Sequence, residues 1–362
     1  MSPVQGTRHV QSQAILRAIW PQLSVSEETV QKQYSQLLNY FEHELKMIRE
    51  NADISAVQST DGICSLIRKM KRMDTITRRK ALDIARQEMW IMQVDENKLS
   101  KSVDIALRLW LTVNISSTEI GRQGLLSWGC DTNLRDLVRS YFNDCKANTQ
   151  HHQPDQRLNP NLTAEFLTSN YGYTVEWTHN LVDHLVIDWK YKVITVYEHK
   201  IYLYNNVSFP EESIIPQEIS QEAMDTLNLL FPFQDDATKR FLSRHKKQFY
   251  GLGFCNRPRK LELEDYYYWR HRIADLGYIL RGPAIGLQQL RLDREGNNML
   301  QISTFWITAA VGVVTVISIA VAVGATVYGV KQYNLALRQY RLSVAEACLE
   351  PAAREQLGEF CY

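Results

Sequence analysis

The sequence lacks the features that define several common classes of protein. Its charge is almost balanced, with 41 lysine and arginine residues against 40 aspartate and glutamate residues. Dedicated nucleic-acid binders depend on an excess of basic side chains, so the balance argues against that class. The N-terminal residues have no continuous apolar stretch and no small-residue cleavage site, and no secretory signal peptide is expected.

Motifs of the common enzyme classes are also missing. The sequence has no G-x-S-x-G nucleophile, no H-E-x-x-H zinc motif, no phosphate-binding G-x-x-x-x-G-K-[ST] and no dinucleotide-binding G-x-G-x-x-G. The cysteines are scattered, without a C-x-x-C pair, which indicates neither a zinc site nor a disulfide framework. We expect no cofactor and no metal, and free thiols in a reducing compartment. The six cysteines are Cys64, Cys130, Cys145, Cys255, Cys348 and Cys361.

One long apolar segment lies near the C-terminus, at Met299–Val330. No charged residue occurs between Gly296 and Val330. The inner run Phe305–Val330, about 26 residues, would make roughly 39 Å of helix, enough to cross a hydrocarbon core of about 30 Å with some tilt. The alternative, a buried core helix, is usually shorter and keeps polar residues. The segment therefore predicts a single transmembrane helix.

The position of this segment indicates a simple topology. Residues 1–295 are expected in the cytosol, with the last 32 residues on the other side of the membrane. Charge does not decide the orientation, because three arginines precede the segment and three basic residues follow it. The sequence does not indicate which membrane is involved.

The predicted fold class is mainly α, or α+β, with a helical cytosolic domain, a small β-hairpin element and one transmembrane helix. We expect a weakly ordered N-terminus (1–20), a helical region (21–145), a linker (146–160), an α+β region (161–280), a neck (281–298), the transmembrane helix (299–330) and a tail (331–362).

Helical periodicity is strong in the first half. Ser26 is a predicted N-cap for a helix with one apolar face, and 103–115 is predicted as a core helix because it is too short and too charged to span a membrane. The run Arg78–Lys80 extends a basic face that starts at Arg68. Such a face is usually solvated, but it also fits a nuclear-import signal or a patch for anionic lipid.

The second half contains less regular patterns. Lys190–Tyr204 carries two β-rich runs and predicts a hairpin. Tyr266–Arg272 mixes aromatic and basic residues, which could stack nucleobases, but helical spacing within Glu262–Leu280 favours core packing. The polar linker contains His151, His152 and Asp155, which could bind a metal. Adjacent histidines in a surface loop usually bind none.

The best local constellation of titratable groups is His179, Asp183 and His184, with Trp177 and Asp188 nearby. If the stretch is helical, His179 and Asp183 lie one turn apart and could act as a catalytic acid/base pair. If Asp183 instead caps a turn, His184 is structural. We favour the structural interpretation and keep the three residues as weak catalytic candidates.

A face of small residues runs along the predicted transmembrane helix. Small side chains let two helices approach closely, so this face predicts homo-association in the bilayer. The packing residues are Ser318, Ala322, Ala325 and Gly329.

One segment resembles a group of uncharacterised single-pass transmembrane proteins of filamentous fungi. Their pattern W-T-x-N-L-x-D-H-L is matched here by Trp177, Thr178, Asn180, Leu181, Asp183, His184 and Leu185. The resemblance implies the same architecture and a fungal origin, but it brings no catalytic residues. Where the group tends to have paired histidines, this chain has Glu198-His199, which weakens the idea of a histidine site there.

These observations predict a membrane-anchored, non-enzymatic interaction or accessory module. Its expected partners are the lipid bilayer, a second copy through the helix and a protein of unknown identity, but not nucleic acid. The alternative is a membrane-tethered enzyme or an accessory factor of a fungal secondary-metabolite pathway, which rests on the inferred origin and on no residue.

Overall fold

The computed structural model of the chain describes residues 13–24, 26–51, 55–88, 95–117, 124–147, 157–247, 249–282 and 299–349, together with residues 358, 359 and 361. The chain divides into two compact units, Met1–Ile285 and Gly286–Tyr362. The first unit is mainly helical with small sheets, and the second contains one long apolar helix. The predicted fold class is therefore confirmed.

Helices dominate the N-terminal half of the first unit. Ser26, Ser59 and Asp95 begin three of them as N-caps, because each side chain accepts a backbone N–H of the first turn. The helices are α1 (13–19), α2 (Glu27–Gln33), α3 (Ser35–Glu50), α4 (Thr60–Lys71), α5 (Arg78–Glu88), α6 (Glu96–Leu111) and α7 (Leu134–Ala147). Two short parallel strands, β1 (Ile115–Ser116) and β2 (Leu126–Ser127), lie between α6 and α7.

Part of the segment that we predicted to be weakly ordered, residues 1–20, forms a helix. Residues 13–19 form α1, and Ile15, Ile19 and Trp20 are buried in the core. Only residues 1–12 of the segment expected to be weakly ordered lie outside the described residues. The apolar stripe predicted from Ser26 is buried as expected, although Tyr34 separates it into two helices. The 103–115 segment is confirmed as a core helix as far as Leu111, with Val103, Leu107 and Trp110 buried in α6, but its last residue, Ile115, belongs to β1.

The basic run Arg78–Lys80 is not the continuous exposed face that the lipid and nuclear-import hypotheses require. Arg78 is 1% exposed, and its guanidinium donates to Asp104 Oδ1 at 2.7 Å. Lys71 on the preceding helix forms an ion pair with Glu212. Ion pairs within the domain therefore neutralise part of the positive charge of this basic face, because a buried cation is stable only when it is paired.

The C-terminal half of the first unit surrounds a three-stranded sheet. Its strands are β3 (Thr174–Thr178), β4 (Ile187–Asp188) and β5 (Val193–Tyr197), in the order β3–β5–β4. β3 and β5 are parallel, whereas β4 is antiparallel to β5. The surrounding helices are α8 (Ala164–Tyr171), α9 (Lys200–Ser208), α10 (Gln217–Leu230), α11 (Asp236–Arg244) and α12 (Arg270–Ile279).

The hairpin predicted between the two β-rich runs of Lys190–Tyr204 does not form, and the hairpin of the structure begins earlier in the chain. It joins β4 to β5, and the second β-rich run of Lys190–Tyr204 forms α9 instead of a strand. Short apolar runs do not distinguish a strand from a buried helix by periodicity. Here tertiary packing decides, because α9 packs along α10 and the Tyr202 hydroxyl donates to Trp110 O at 2.7 Å.

A buried carboxylate holds the start of the last helix of this unit. Glu222 on α10 accepts the backbone N–H groups of Tyr267, Tyr268 and Trp269 at 2.7–2.8 Å. Trp269 is the N-cap position of α12, so Glu222 supplies the cap that the helix itself lacks. Tyr266 and Trp269 are buried, which confirms core packing for these two rings, whereas Tyr267 is exposed and the helix predicted over Glu262–Leu280 begins only at Arg270.

The second unit contains helix α13 (Met299–Ala347), which continues well beyond the predicted end at Val330. Among the described residues it is the one helix long and apolar enough to cross a membrane, with a mean hydropathy of 2.4 in its most apolar window and none of that window buried. After α13, Cys348 and Cys361 form a disulfide. The expectation of free thiols is therefore wrong for this pair, since residues 13 positions apart can meet when the chain turns back on itself.

Candidate functional site

Two strands end side by side and bring three potential metal ligands together. β3 and β5 are parallel, with Thr178 opposite Tyr197. The next residues, His179 after β3 and Glu198 after β5, therefore emerge at the same edge of the sheet. The Glu198 N–H donates to Thr178 O at 3.1 Å, which extends the pairing by one step. His199 follows directly before α9.

The side chains of this group are in hydrogen-bonding contact. His179 Nδ1 lies 2.8 Å from His199 Nε2 and 2.8 Å from Glu198 Oε1. The other carboxylate oxygen of Glu198 forms an ion pair with the ammonium of Lys247. We call His179, Glu198, His199 and Lys247 the His179 cluster.

Aromatic rings fix the His179 cluster on two sides. The Tyr40 ring stacks on His179 with centroids 4.3 Å apart and planes 20° apart. The Lys247 ammonium lies over the Trp177 ring, 4.9 Å from its centroid. The side chain of His179 is 46% exposed and that of Glu198 is 6% exposed, while His199 is buried. The cluster is therefore a supported polar site that solvent reaches through His179.

Burial and charge set the protonation states of the cluster. Burial alone would raise the pKa of Glu198, but the hydrogen bond from His179 and the charge of Lys247 outweigh it and lower the pKa to about 2. Burial lowers the pKa of His199 to about 3. At neutral pH the site therefore contains an ionised carboxylate beside a neutral imidazole. His199 Nδ1 is buried and has no hydrogen-bond partner among the described residues.

His184 does not belong to this cluster. It is completely buried, with Nε2 2.6 Å from Thr226 Oγ1, and its Nδ1 accepts the Tyr197 N–H at 3.1 Å. Burial lowers its pKa to about 3, and Arg272 acts in the same direction. Because both ring nitrogens are occupied and solvent is excluded, His184 ties β5 to α10 and has no free atom for catalysis.

Asp183 is part of a clamp centred on Asn180. Asn180 Oδ1 accepts the Asn114 N–H at 3.1 Å, and its Nδ2 donates to Gly124 O at 2.6 Å and to Asp183 Oδ2 at 2.8 Å. Asp183 ends a 3-10 turn, Leu181–Asp183, so His179 and Asp183 do not lie one helical turn apart. The structure thus separates the three catalytic candidates.

The matched W-T-x-N-L-x-D-H-L segment has a structural role at most of its positions. Trp177 stacks on Phe231, Asn180 forms the clamp, and Leu181 and Leu185 are fully buried. Leu185 has φ of 61°, a conformation that costs energy for a leucine and needs surrounding contacts to maintain it. The segment therefore builds the end of β3 and the turn after it, and His179 lies at an unspecified position of the pattern.

The remaining sequence candidates fall outside this site. His151, His152 and Asp155 lie outside the described residues. Ser318, Ala322, Ala325 and Gly329 lie on α13, where a Cβ added at Gly329 would meet no atom within 4 Å. Their role in homo-association stays a prediction.

The fold and the site define the class of protein. It has a helical domain with a small mixed sheet, and His179, Glu198 and His199 lie at one edge of that sheet. The same chain contains a helix that is long and apolar enough to cross a membrane. Comparisons with family models, with curated proteins and with solved structures find no match for the chain. The functional argument therefore depends on the geometry of the molecule itself.

Proposed function

We propose that the protein is a single-pass membrane protein that holds its N-terminal domain at a membrane surface as an interaction or accessory module. The observation that carries this proposal is the apolar helix Ser303–Ala347, none of whose most apolar window is buried. Side chains such as Val316 and Val321 are 67% and 65% exposed. Burying a continuous apolar helix in lipid removes that surface from water.

Alkaline extraction of membranes tests the anchor. The full chain, expressed in eukaryotic cells, should stay in the membrane pellet after carbonate treatment, and a chain that ends at residue 298 should be released. A variant with Val316, Ile319 and Val323 replaced by arginine should also be released, because each charge costs about 2.5–3.5 kcal/mol at a helix centre. The same three positions changed to leucine serve as the control and should stay in the pellet. Release of the full chain would refute the anchor.

The cysteines support one orientation. Cys348 and Cys361, after α13, form a disulfide, whereas Cys64, Cys130, Cys145 and Cys255 in the first unit are free. Disulfides persist in oxidising compartments and are rare in the cytosol. This contrast favours a cytosolic domain and a tail on the lumenal or extracellular side. The cysteines thus favour one orientation of the helix, which the balanced charges on either side of it do not.

Thiol labelling of sealed vesicles tests this orientation. In vesicles with the cytosolic side outward, a membrane-impermeant maleimide should label the exposed Cys130 without detergent. The tail cysteines should react only after both detergent and reductant are added, and that reaction should disappear when Cys348 and Cys361 are replaced by serine. Labelling of the tail in intact, unreduced vesicles would contradict the proposed orientation.

The environment of Asp183 and His184 supports a module more than an enzyme at that position. His184 is closed off from solvent, and Asp183 borders an open surface groove of about 670 Å³ that also includes Trp177 and Trp189. Ligand sites of enzymes are usually concave and bury most of the ligand. The alternative, a membrane-tethered enzyme, is favoured by one observation only, the His179 cluster. The fungal family and the secondary-metabolite pathway stay predictions.

A further inference from the structure

We propose that His179, Glu198 and His199 form a binding site for a zinc-type divalent cation with one ligand position open to solvent. Each residue offers one ligand atom, and the three atoms lie within 4.8 Å of one another. Two imidazole nitrogens and one carboxylate oxygen make a donor set that suits zinc and related first-row metals. The inference does not depend on the membrane anchor.

The two distances from His179 Nδ1 to the other ligand atoms fit a metal after a small adjustment. Tetrahedral zinc with bonds of about 2.0–2.2 Å separates its ligand atoms by about 3.4 Å. His179 Nδ1 is 2.8 Å from both His199 Nε2 and Glu198 Oε1. The side chains must therefore open by about half an ångström, which small χ rotations supply.

The close approach of these atoms requires a proton or a cation among them. Each of the three carries a lone pair, so they can approach one another only if a proton or a cation lies among them. Without a metal, an ordinary N–H proton of one of the two imidazoles fills this role, and the tautomer decides which nitrogen carries it. A divalent cation would replace that proton and bind all three atoms.

The site is held in place but remains accessible. Glu198 and His199 follow a central strand directly, and the stacked Tyr40 ring fixes the plane of His179. Residues attached directly to the ends of paired strands hold their geometry better than residues within a long loop. The side chain of His179 is 46% exposed, which leaves an entry path and room for a water as the fourth ligand.

Lys247 distinguishes this proposal from a purely structural polar cluster. Its ammonium pairs with the carboxylate oxygen of Glu198 that the metal does not need, and so brings a positive charge next to the cation. Like charges this close repel, even when the effective dielectric constant is high. Removing the Lys247 charge should therefore strengthen metal binding, by about tenfold.

Calorimetric titration of the full chain in detergent micelles, after chelation and blocking of free thiols, provides the test. We expect one Zn²⁺ per chain, and a tetrahedral absorption spectrum when Co²⁺ is used instead. Glu198→Gln and His179→Ala should each lower the affinity by at least about tenfold. His179 is the main target because it is half-exposed, and near-UV circular dichroism will show that its variant stays folded. Lys247→Gln should raise the affinity.

Two control variants locate the binding. His245→Ala, next to the cluster, and His151→Ala combined with His152→Ala should leave the affinity unchanged. The proposal is overturned if neither the natural chain nor the Lys247→Gln variant binds Zn²⁺ stoichiometrically. It is equally overturned if binding persists in folded His179→Ala, or if binding is lost in the His151/His152 variant.

Discussion

The two units of the chain differ in the surroundings of their side chains. In the first unit several buried charged groups have partners of opposite charge inside the domain: Asp225, for example, is 1% exposed and pairs with Arg257 at 2.6 Å and Lys260 at 2.9 Å. In the second unit, apolar side chains such as Val316 and Ile319 are exposed along α13. The domain thus pairs such charges internally, whereas the helix exposes a continuous apolar surface.

This difference separates two questions about function. The helix bears on where the protein is located, because it is long and apolar enough to cross a bilayer. Its apolar side chains have no acid, base or nucleophile to offer. The domain bears on what the protein binds, because among the described residues the group of potential metal ligands lies there. The cysteines follow the same division, with a disulfide in the second unit and free thiols in the first.

The largest effect is expected at Arg78, inside the domain. Arg78→Met leaves the carboxylate of Asp104 in a largely buried position without its partner, which should cost about 3–5 kcal/mol of unfolding free energy. Arg79→Met is the matched control, because the Arg79 side chain is 69% exposed and should change stability by less than about 0.5 kcal/mol. Urea titration followed by tryptophan fluorescence measures both. Equal midpoints would show that the basic run is a solvated face after all.

The next effect is expected at Asn180. Asn180→Ala leaves the Asn114 N–H and the Gly124 carbonyl without partners, at about 1–3 kcal/mol each if water does not replace the amide. Asp183→Asn should cost less, because an amide oxygen can still accept the bond from Asn180. The same urea titration compares them. A stable Asn180→Ala protein would remove the structural interpretation of this segment.

Acid should destabilise the domain through His184. Its folded-state pKa of about 3 lies below the ordinary value of 6.5, so the unfolded chain binds the proton first. The contribution is therefore complete above pH 6.5 and is lost as the pH falls towards 3, by up to about 1.4 kcal/mol per pH unit. In unfolding free energies measured from pH 4 to 7, His184→Gln should flatten the slope by that amount. His43→Gln, at an exposed position, is the control, and an unchanged slope in the His184 variant would refute the assignment.

Much of the fold follows from the sequence, but the candidate site does not. The N-cap Ser26, the stripe that includes Leu37 and Phe41, and the apolar helix are local patterns, and local patterns are what periodicity reports. The His179 cluster depends on the parallel pairing of β3 with β5, which joins residues 20 positions apart. We expected a hairpin over Lys190–Tyr204, and antiparallel pairing with the second run would have directed Glu198 and His199 into a turn. No local pattern indicates that the segments forming β3 and β5 pair in parallel.

The smallest effect concerns the helix and its small-residue face. Ala325→Leu with Gly329→Leu places two large side chains where a second helix would approach, and should reduce homo-association in the bilayer by about 1 kcal/mol or more. Val323→Leu with Val327→Leu is the matched control, because a shift of two residues turns the side chain about 200° around the helix axis. Energy transfer between labelled chains in lipid vesicles measures the dimer fraction. Equal loss in both variants would mean that bulk alone matters, and no loss in either would leave α13 as an anchor without a specific face. Loss in the first variant alone would show that this exposed apolar helix selects a protein partner as well as lipid.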